Sequence, residues 1–174
     1  MEICSELSGL RHKRLPIVMA AGFFDGLHLG HRRVILDTIR MARSVGGRAW
    51  VLTFENHPLS ITCPEKTPPL LTGMDYKIRL LAGMGVDGCL LVPFTRELSM
   101  LDPEDFVNRL MSEIPSLSCI FVGKGWRFGK GGYGSTELLS KVCGEHGVKV
   151  RVVKPVMLGG RTVSSTVIRS ALVE

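Results

Sequence analysis

Apolar residues along this chain fall into short continuous runs that alternate with runs spaced at three and four. Residues 15–20 (LPIVMA) form a short apolar run ending at a glycine turn, the pattern of a buried strand. Ile35, Ile39 and Ala42 then recur at helical spacing over 35–45, with Arg32, Arg33, Arg40 and Arg43 elsewhere, and Gly46-Gly47 stops the pattern. A second strand is predicted over 48–54 (RAWVLTF), followed by a proline-containing loop over 56–69. Residues 75–84 predict a helix with Ile78, Leu81 and Ala82 inward, ended by Gly85, and 89–94 predict a third strand. Asp102 and Pro103 are a strong helix start, because Asp can cap and Pro fits the first helical position. Phe106, Val107, Leu110 and Met111 give that helix its apolar stripe. Residues 119–122 predict a fourth strand, 123–134 a glycine-rich basic loop, and Ser135 can cap a helix carrying Leu138, Leu139 and Val142. A fifth strand is expected over 148–153, a turn at Leu158-Gly159-Gly160, and a last short helix after Ser164.

Strand and helix thus alternate five times. The expected fold is α/β: a Rossmann-like, doubly wound parallel sheet of about five main strands, with right-handed crossovers and helices on both faces. Ligands of such sheets bind beyond the carboxyl ends of the strands, near the point where strand order reverses. The chemistry should therefore sit just after Ala20, Phe54, Phe94, Val122 and Val153.

Composition narrows this picture little. With 174 residues, 45% hydrophobic and 22% charged, the chain fits one globular domain over 1–174 and excludes a disordered tail, a collagen and a coiled-coil rod. The longest apolar stretch, 15–24, is shorter than the roughly 20 residues a membrane span needs. Arg11-His12-Lys13-Arg14 imitates the basic segment of a signal peptide, but Glu2 and Glu6 spoil it, and the cluster reads as a solvated lead-in. Five cysteines, odd in number and without Cys-x-x-Cys, argue against a disulfide framework or a zinc site and for a reducing, cytoplasmic compartment; Cys89 and Cys119 read as core. The net charge of +6 admits nucleic acid, an anionic membrane or phosphorylated small molecules as partners, or a solvated basic surface with none. The basic residues are dispersed and no nucleic-acid reader motif occurs, so nucleic acid ranks last and a membrane is not expected.

Two segments carry candidate chemistry. GFFDGLHLGH at 22–31 follows a predicted strand and opens a helix. Gly22, Gly26 and Gly30 permit tight turns and close approach of backbone to a ligand, and free N–H groups at the helix start can hold a phosphate. His28 and His31, three apart, can donate to phosphate oxygens, and either can be protonated near neutral pH. The plainer alternative is a pair of surface or capping histidines; a metal site is disfavoured, because Asp25 alone is a nearby third ligand. RTVSSTVIR at 161–169 places Ser164, Ser165 and Thr166 at a helix start, with Arg169 three residues beyond Thr166 and Arg161 ahead of them. These groups could hold a second phosphate or be an ordinary Ser/Thr cap with surface arginines.

Together these motifs resemble the nucleotidyltransferases with His-x-Gly-His and Ser-Ser-Thr-x-x-Arg signatures. The chain is most similar to the adenylyltransferase module of bacterial FAD synthetase, the bifunctional riboflavin kinase/FMN adenylyltransferase. GFFDGLHLGH, TFENHP at 53–58, VGKGWRFGKGGYG at 122–134 and VSSTVIR carry that resemblance, which runs from about Ile17 to Leu172. Three departures stand out: Gly125 where the family usually shows Asn or Asp, Asn56 for the usual first proline of the flavin loop, and Ser135 for an Asp. Asn56 implies a looser flavin loop, and Gly125 the loss of a potential hydrogen bond of about 1 kcal/mol.

The resemblance implies that ATP and FMN are substrates and that FAD and pyrophosphate are products. It implies that His28 and His31 hold the α-phosphate. The turn Gly22, Phe23, Phe24, Asp25 and Gly26, with Gly30, would admit the nucleotide. Ser164, Ser165, Thr166 and Arg169, assisted by Arg161, would hold the β- and γ-phosphates. Phe54, His57, Pro58, Gly125, Arg127 and Phe128 would line the flavin side, and Lys130 would touch a phosphate. Core packing is the equal alternative for Phe54 and Phe128; Trp126 could stack on the flavin or cover the loop. Mg²⁺ is implied, held mainly by phosphate oxygens and water, since no carboxylate cluster offers a metal site. The family's riboflavin kinase domain has no counterpart in these 174 residues, so no riboflavin phosphorylation is expected of them and a kinase would be separate or missing. The competing readings are a related nucleotidylyltransferase with a different phosphorylated acceptor and a non-catalytic flavin- or nucleotide-binding relative.

Overall fold

The structure, a computed structural model, describes residues 1–173. Its centre is a fully parallel sheet of six strands: β1 (Glu2–Cys4), β2 (Ile17–Ala21), β3 (Arg48–Phe54), β4 (Gly88–Val92), β5 (Leu117–Gly123) and β6 (Lys149–Val153). Their order is β1-β4-β3-β2-β5-β6. The chain runs one way from β2 to β3 and β4, then crosses back to place β5 on the other side of β2. The topological switch point therefore lies between the carboxyl ends of β2 and β5.

Side-chain parity divides the core into two layers. Ile17, Met19 and Ala21 of β2 face the same side as Trp50, Leu52 and Ile120. There they meet α5 (Pro103–Glu113) through Phe106, Val107 and Leu110, and α6 (Thr136–Glu145) through Leu139 and Val142. Val18 and Ala20 face the opposite side, against Val34, Ile35 and Ala42 of α1 (Leu29–Ser44) and Leu81 of α3 (Met74–Gly83). All five residues of β2 are buried, as a strand covered on both faces requires. The predicted caps are present: Asp102 accepts from the Glu104 N–H at 2.9 Å, and Ser135 from the Leu138 N–H at 3.2 Å. Cys89 and Cys119 are buried as expected, and burial pushes the Cys89 thiol up to about 11.

The differences from expectation lie where segments are short. The sixth strand, β1, is three residues with an exposed face and no periodicity, held by its pairing with β4. The loop over 56–69 carries a helical turn, α2 (Leu59–Thr62). Another short helix, α4 (Arg96–Met100), capped by the Thr95 hydroxyl, buries none of its residues. The expected turn at Gly159-Gly160 closes a small antiparallel hairpin, β7 (Met157–Leu158) and β8 (Arg161–Thr162), ahead of α7 (Ser165–Leu172). Among the described residues no helix is long and apolar enough to cross a membrane.

One contact fixes the β3–β4 spacing. Trp50 lies beside Gly88 in register, and a Cβ on Gly88 would meet the indole ring at 2.4–2.5 Å. Neither side can give way, because Trp50 is 2% exposed. Gly88→Ala should therefore cost about 1–3 kcal/mol, read as a lower urea midpoint at unchanged slope.

Candidate active site

β2 ends at the switch point in a turn that its own residues strain. Phe24, Leu27 and Gly26 all take left-handed backbone conformations, at φ 54°, 40° and 80°. Such a conformation costs a non-glycine residue roughly 1 kcal/mol or more. It is held because Phe24 and Leu27 are buried, while Leu71 occupies the space a Gly26 side chain would need. The turn delivers His28 to the N-cap of α1, where its Nδ1 accepts the His31 N–H at 3.3 Å. The neutral His28 ring then carries its proton on Nε2, which is a donor. The His31 ring stacks on it with centroids 3.6 Å apart, and Phe24 packs edge-on against His31. A Cβ on Gly30 would stand 3.1 Å from the His28 ring and 3.5 Å from the Val163 carbonyl, so this glycine lets the second motif come up to the first.

The second motif docks on the same turn. Ser164 caps α7 by accepting the Val167 N–H, and the Ser165 hydroxyl donates to the Asp25 carbonyl at 2.9 Å. Arg169 donates from Nε to the Pro69 carbonyl at 2.8 Å and from its terminal nitrogen to the Asp25 carboxylate. That carboxylate also accepts the N–H groups of Leu71 and Thr72 at 3.0 Å. Asp25 is 2% exposed, so its oxygens face protein donors and are not open to a nucleotide.

A cavity of ≈ 440 Å³ opens at the switch point. His28 and His31 stand in its wall with Gly22, Trp126, Ser164 and Ser165. Phe23, Phe24, Gly30 and Gly125 line it as well. Two exposed cations not singled out in the sequence, Lys124 and Lys154, stand at its margin. Both directly follow strand ends, where the carboxyl-end rule points. The other expected residues lie elsewhere. Phe128 is core, 7% exposed and stacked on Trp126 at 4.7 Å, which is the packing alternative. Phe54 lines a separate cavity of ≈ 510 Å³ with Val92, Leu98 and Phe106. His57 packs edge-on against Phe23 at 4.8 Å, and Pro58 directly precedes α2. Gly26, Arg127, Lys130, Arg161 and Thr166 stand outside the residues lining the 440 Å³ cavity.

The expected looseness of the flavin loop is corrected by Asn56. Its side-chain amide donates to the Phe94 carbonyl at 3.0 Å and accepts the Phe94 N–H at 2.9 Å, tying the loop to the end of β4. Gly125 has open space where a side chain would stand. Sequence reasoning also missed Lys77, which is 2% exposed. Its signal was its place four residues before Leu81, on the buried face of α3.

The charge pattern of the site differs from the expectation of readily protonated histidines. Burial pushes His31 down to about 3, and burial also lowers His28. Burial thus favours the neutral form of both rings, and the cavity's lysines carry its positive charge. Burial alone would raise the Asp25 carboxyl, but the Leu71 and Thr72 N–H groups and Arg169 outweigh it and hold it below the usual carboxylate value.

A doubly wound α/β fold, a histidine pair at a helix start by the switch point and a Ser-Ser-Thr helix start beside it form the arrangement that the resemblance to the nucleotidyltransferases implies. The match to a family model is more specific. Residues 11–167 match the FAD synthetase model, and the chain belongs to the FAD synthetase family. It is 34% identical over 157 residues to the bifunctional riboflavin kinase/FMN adenylyltransferase of Escherichia coli (strain K12), covering 90% of this chain and 50% of that protein. The protein of the same description from Buchnera aphidicola of Acyrthosiphon pisum is 28% identical over 174 residues, 100% of this chain and 56% of that one. The chain thus spans about half the length of the curated relatives it matches. A solved structure named as a macrolide-efflux protein from Streptococcus pneumoniae superposes with a TM-score of 0.82 at 22% identity, over 98% of this chain and 56% of that one. That likeness speaks for the fold alone.

Two outcomes follow from the buried groups. Asp25→Asn removes the negative partner of a buried ion pair and should cost about 3 kcal/mol, a fall in Tm of roughly 6–12 °C by calorimetry. His31 has a folded value far below its unfolded one, so the unfolded chain binds the proton first. Its contribution to stability is complete above about 6.5 and is lost as pH falls from there toward 3. Urea midpoints taken between pH 7.5 and 5 should fall with pH, and less steeply in His31→Asn.

Proposed function

We propose that this chain, acting as one nucleotidyltransferase domain, transfers AMP from ATP to FMN and forms FAD and pyrophosphate. The observation that carries the reading is the stacked His28–His31 pair at the start of α1, lining one cavity with Ser164 and Ser165. That arrangement supports phosphate contacts from two sides of a triphosphate. An FMN phosphate oxygen attacks the α-phosphorus in line, the new P–O bond forms, and the bond to the β-phosphate breaks to release pyrophosphate. The chemistry needs placement and charge stabilisation rather than a covalent nucleophile.

In this reading the His28 Nε2–H and the neutral His31 donate to the α-phosphate oxygens. The N–H groups at the start of α7 and the Ser164 hydroxyl receive the leaving pyrophosphate, with Lys124 and Lys154 adding charge. Arg169 reaches a phosphate by releasing Asp25, and Arg161 and Thr166 assist from the exposed side. Phe23, His57, Pro58, Gly125, Arg127 and Trp126 form the flavin side. Mg²⁺ belongs to the proposal as an ion brought in by the triphosphate. No acidic side chain lines the cavity among the described residues, so the reading assigns the ion to phosphate oxygens and water. A cytoplasmic setting suits ATP as substrate and the five free thiols.

A second reading, transfer to another phosphorylated acceptor, is favoured by the open space at Gly125. Incubation with FMN, ATP and Mg²⁺, followed by chromatography with mass detection, should yield FAD. A folded, ATP-binding protein that makes none overturns the FMN reading, and an acceptor panel then decides between another acceptor and binding alone. His28→Ala should lower kcat by about 10²–10³-fold while flavin binding, followed by fluorescence, is kept. Equal loss of both would remove the role given to His28.

A further inference from the structure

Beyond the last rung of the β2–β3 ladder, the two strands separate. The Gly22 N–H still bonds to the Leu52 carbonyl at 3.1 Å, but β2 then turns into the histidine motif while β3 runs on into the loop carrying His57. The carbonyls of Phe23 and Phe54 lose their strand partners at that fork. Unpaired backbone groups away from water are costly, so something must satisfy them. The Thr53 hydroxyl donates to the Phe23 carbonyl at 2.8 Å. The second donor comes from α3. The Lys77 ammonium stands 3.1 Å from the Phe23 carbonyl and 3.5 Å from the Phe54 carbonyl, and 4.4 Å from the centre of the Phe23 ring.

A lysine that is 2% exposed is an expensive residue, since removing an ammonium from water is tolerated only with partners in place. Burial indeed lowers its affinity for the proton, and the Asp25 charge works against that. The partners it has are not scattered. One carbonyl belongs to the turn that leads to His28 and His31; the other belongs to the strand end that leads to His57. The Phe23 ring beneath the ammonium packs edge-on against the His57 ring at 4.8 Å. Lys77, Phe23 and His57 therefore form one continuous contact across the fork.

We propose that Lys77 is a positioning residue: by binding the Phe23 and Phe54 carbonyls together, it sets the separation between the nucleotide-holding turn and the acceptor-holding loop. This rests on the adenylyl transfer reading, in which two substrates must meet in line. Its signature differs from that of a binding residue. Lys77 does not line the 440 Å³ cavity, so loss of its ammonium should leave each substrate's own affinity in place. What is lost is their relative placement, and a displacement of about 1 Å can cost on the order of 10²-fold in rate.

The test compares wild type, Lys77→Met and Lys77→Arg. FAD formation gives kcat, FMN fluorescence and ATP titration give separate Kd values, and thermal melts report folding. Lys77→Met keeps the length and the buried volume and removes the donors. The expected result is a folded Lys77→Met protein with both Kd values within about threefold of wild type and kcat at least tenfold lower, and at least partial recovery in Lys77→Arg. A folded Lys77→Met protein with kcat within twofold of wild type overturns the proposal, as does a loss confined to one substrate's Kd. If Lys77→Met melts below the assay temperature, all three proteins are assayed below its melting point, where the same outcomes decide. Wild type that forms no FAD overturns the adenylyl transfer reading instead, a result distinct from each of these.

Discussion

The carboxylate of Asp25 is the contact on which the rest of this site depends. A buried charge without partners would cost several kcal/mol, which exceeds what any single neighbouring contact returns. The chain meets that cost by converging on it from three directions. The Leu71 and Thr72 N–H groups arrive from the loop before α3, Arg169 arrives from α7, and the turn that carries Asp25 is the one that carries His28. Segments far apart in sequence are thereby held at one point, and the two motifs meet because the same carboxylate needs both. No residue of α7 is buried, so Arg169 and the Ser165 hydroxyl, rather than an apolar core, hold that helix to the turn.

Strain and close approach serve the same end. Phe24 and Leu27 accept left-handed backbone because burying both side chains offsets about 1 kcal/mol or more of strain at each position. Gly30 is needed for a different reason, since both the His28 ring and the Val163 carbonyl lie within 3.5 Å of where its side chain would be. The turn is thus fixed by packing beneath it, while Gly30 leaves room for the second motif beside the His28 ring.

The electrostatics reverse a simple reading of the composition. A chain with net charge +6 and a histidine pair suggests cationic imidazoles, yet burial and mutual contact keep His31 neutral. Positive charge is supplied instead by lysines at the margin and by a buried lysine behind the fork. Neutral donors in the wall and cations around it favour an anion.

Much of this was legible in the sequence because it is local. Hydrophobic runs set the five main strands, and Asp102-Pro103 and Ser135 set helix starts. The glycine turn after β2 and Ser164 after the hairpin pointed to the two halves of the site, which local spacing alone can mark. β1 was not legible, because three exposed residues carry no period and owe their conformation to β4. Asn56 could not be read as a clamp, because Phe94 comes from another segment; for Phe128 the sequence left core packing and the flavin side open, and its contact with Phe106 decided for the core. The same holds for Lys77 and for the Asp25–Arg169 pair, whose members are 144 residues apart. By itself, the sequence determined which of the main segments become strand, helix and turn, since periodicity, caps and glycines act within a few residues. Only the tertiary structure decided which charges are buried, which histidines stay neutral and which side chains meet, because burial and long-range pairing exist only once the sheet has closed.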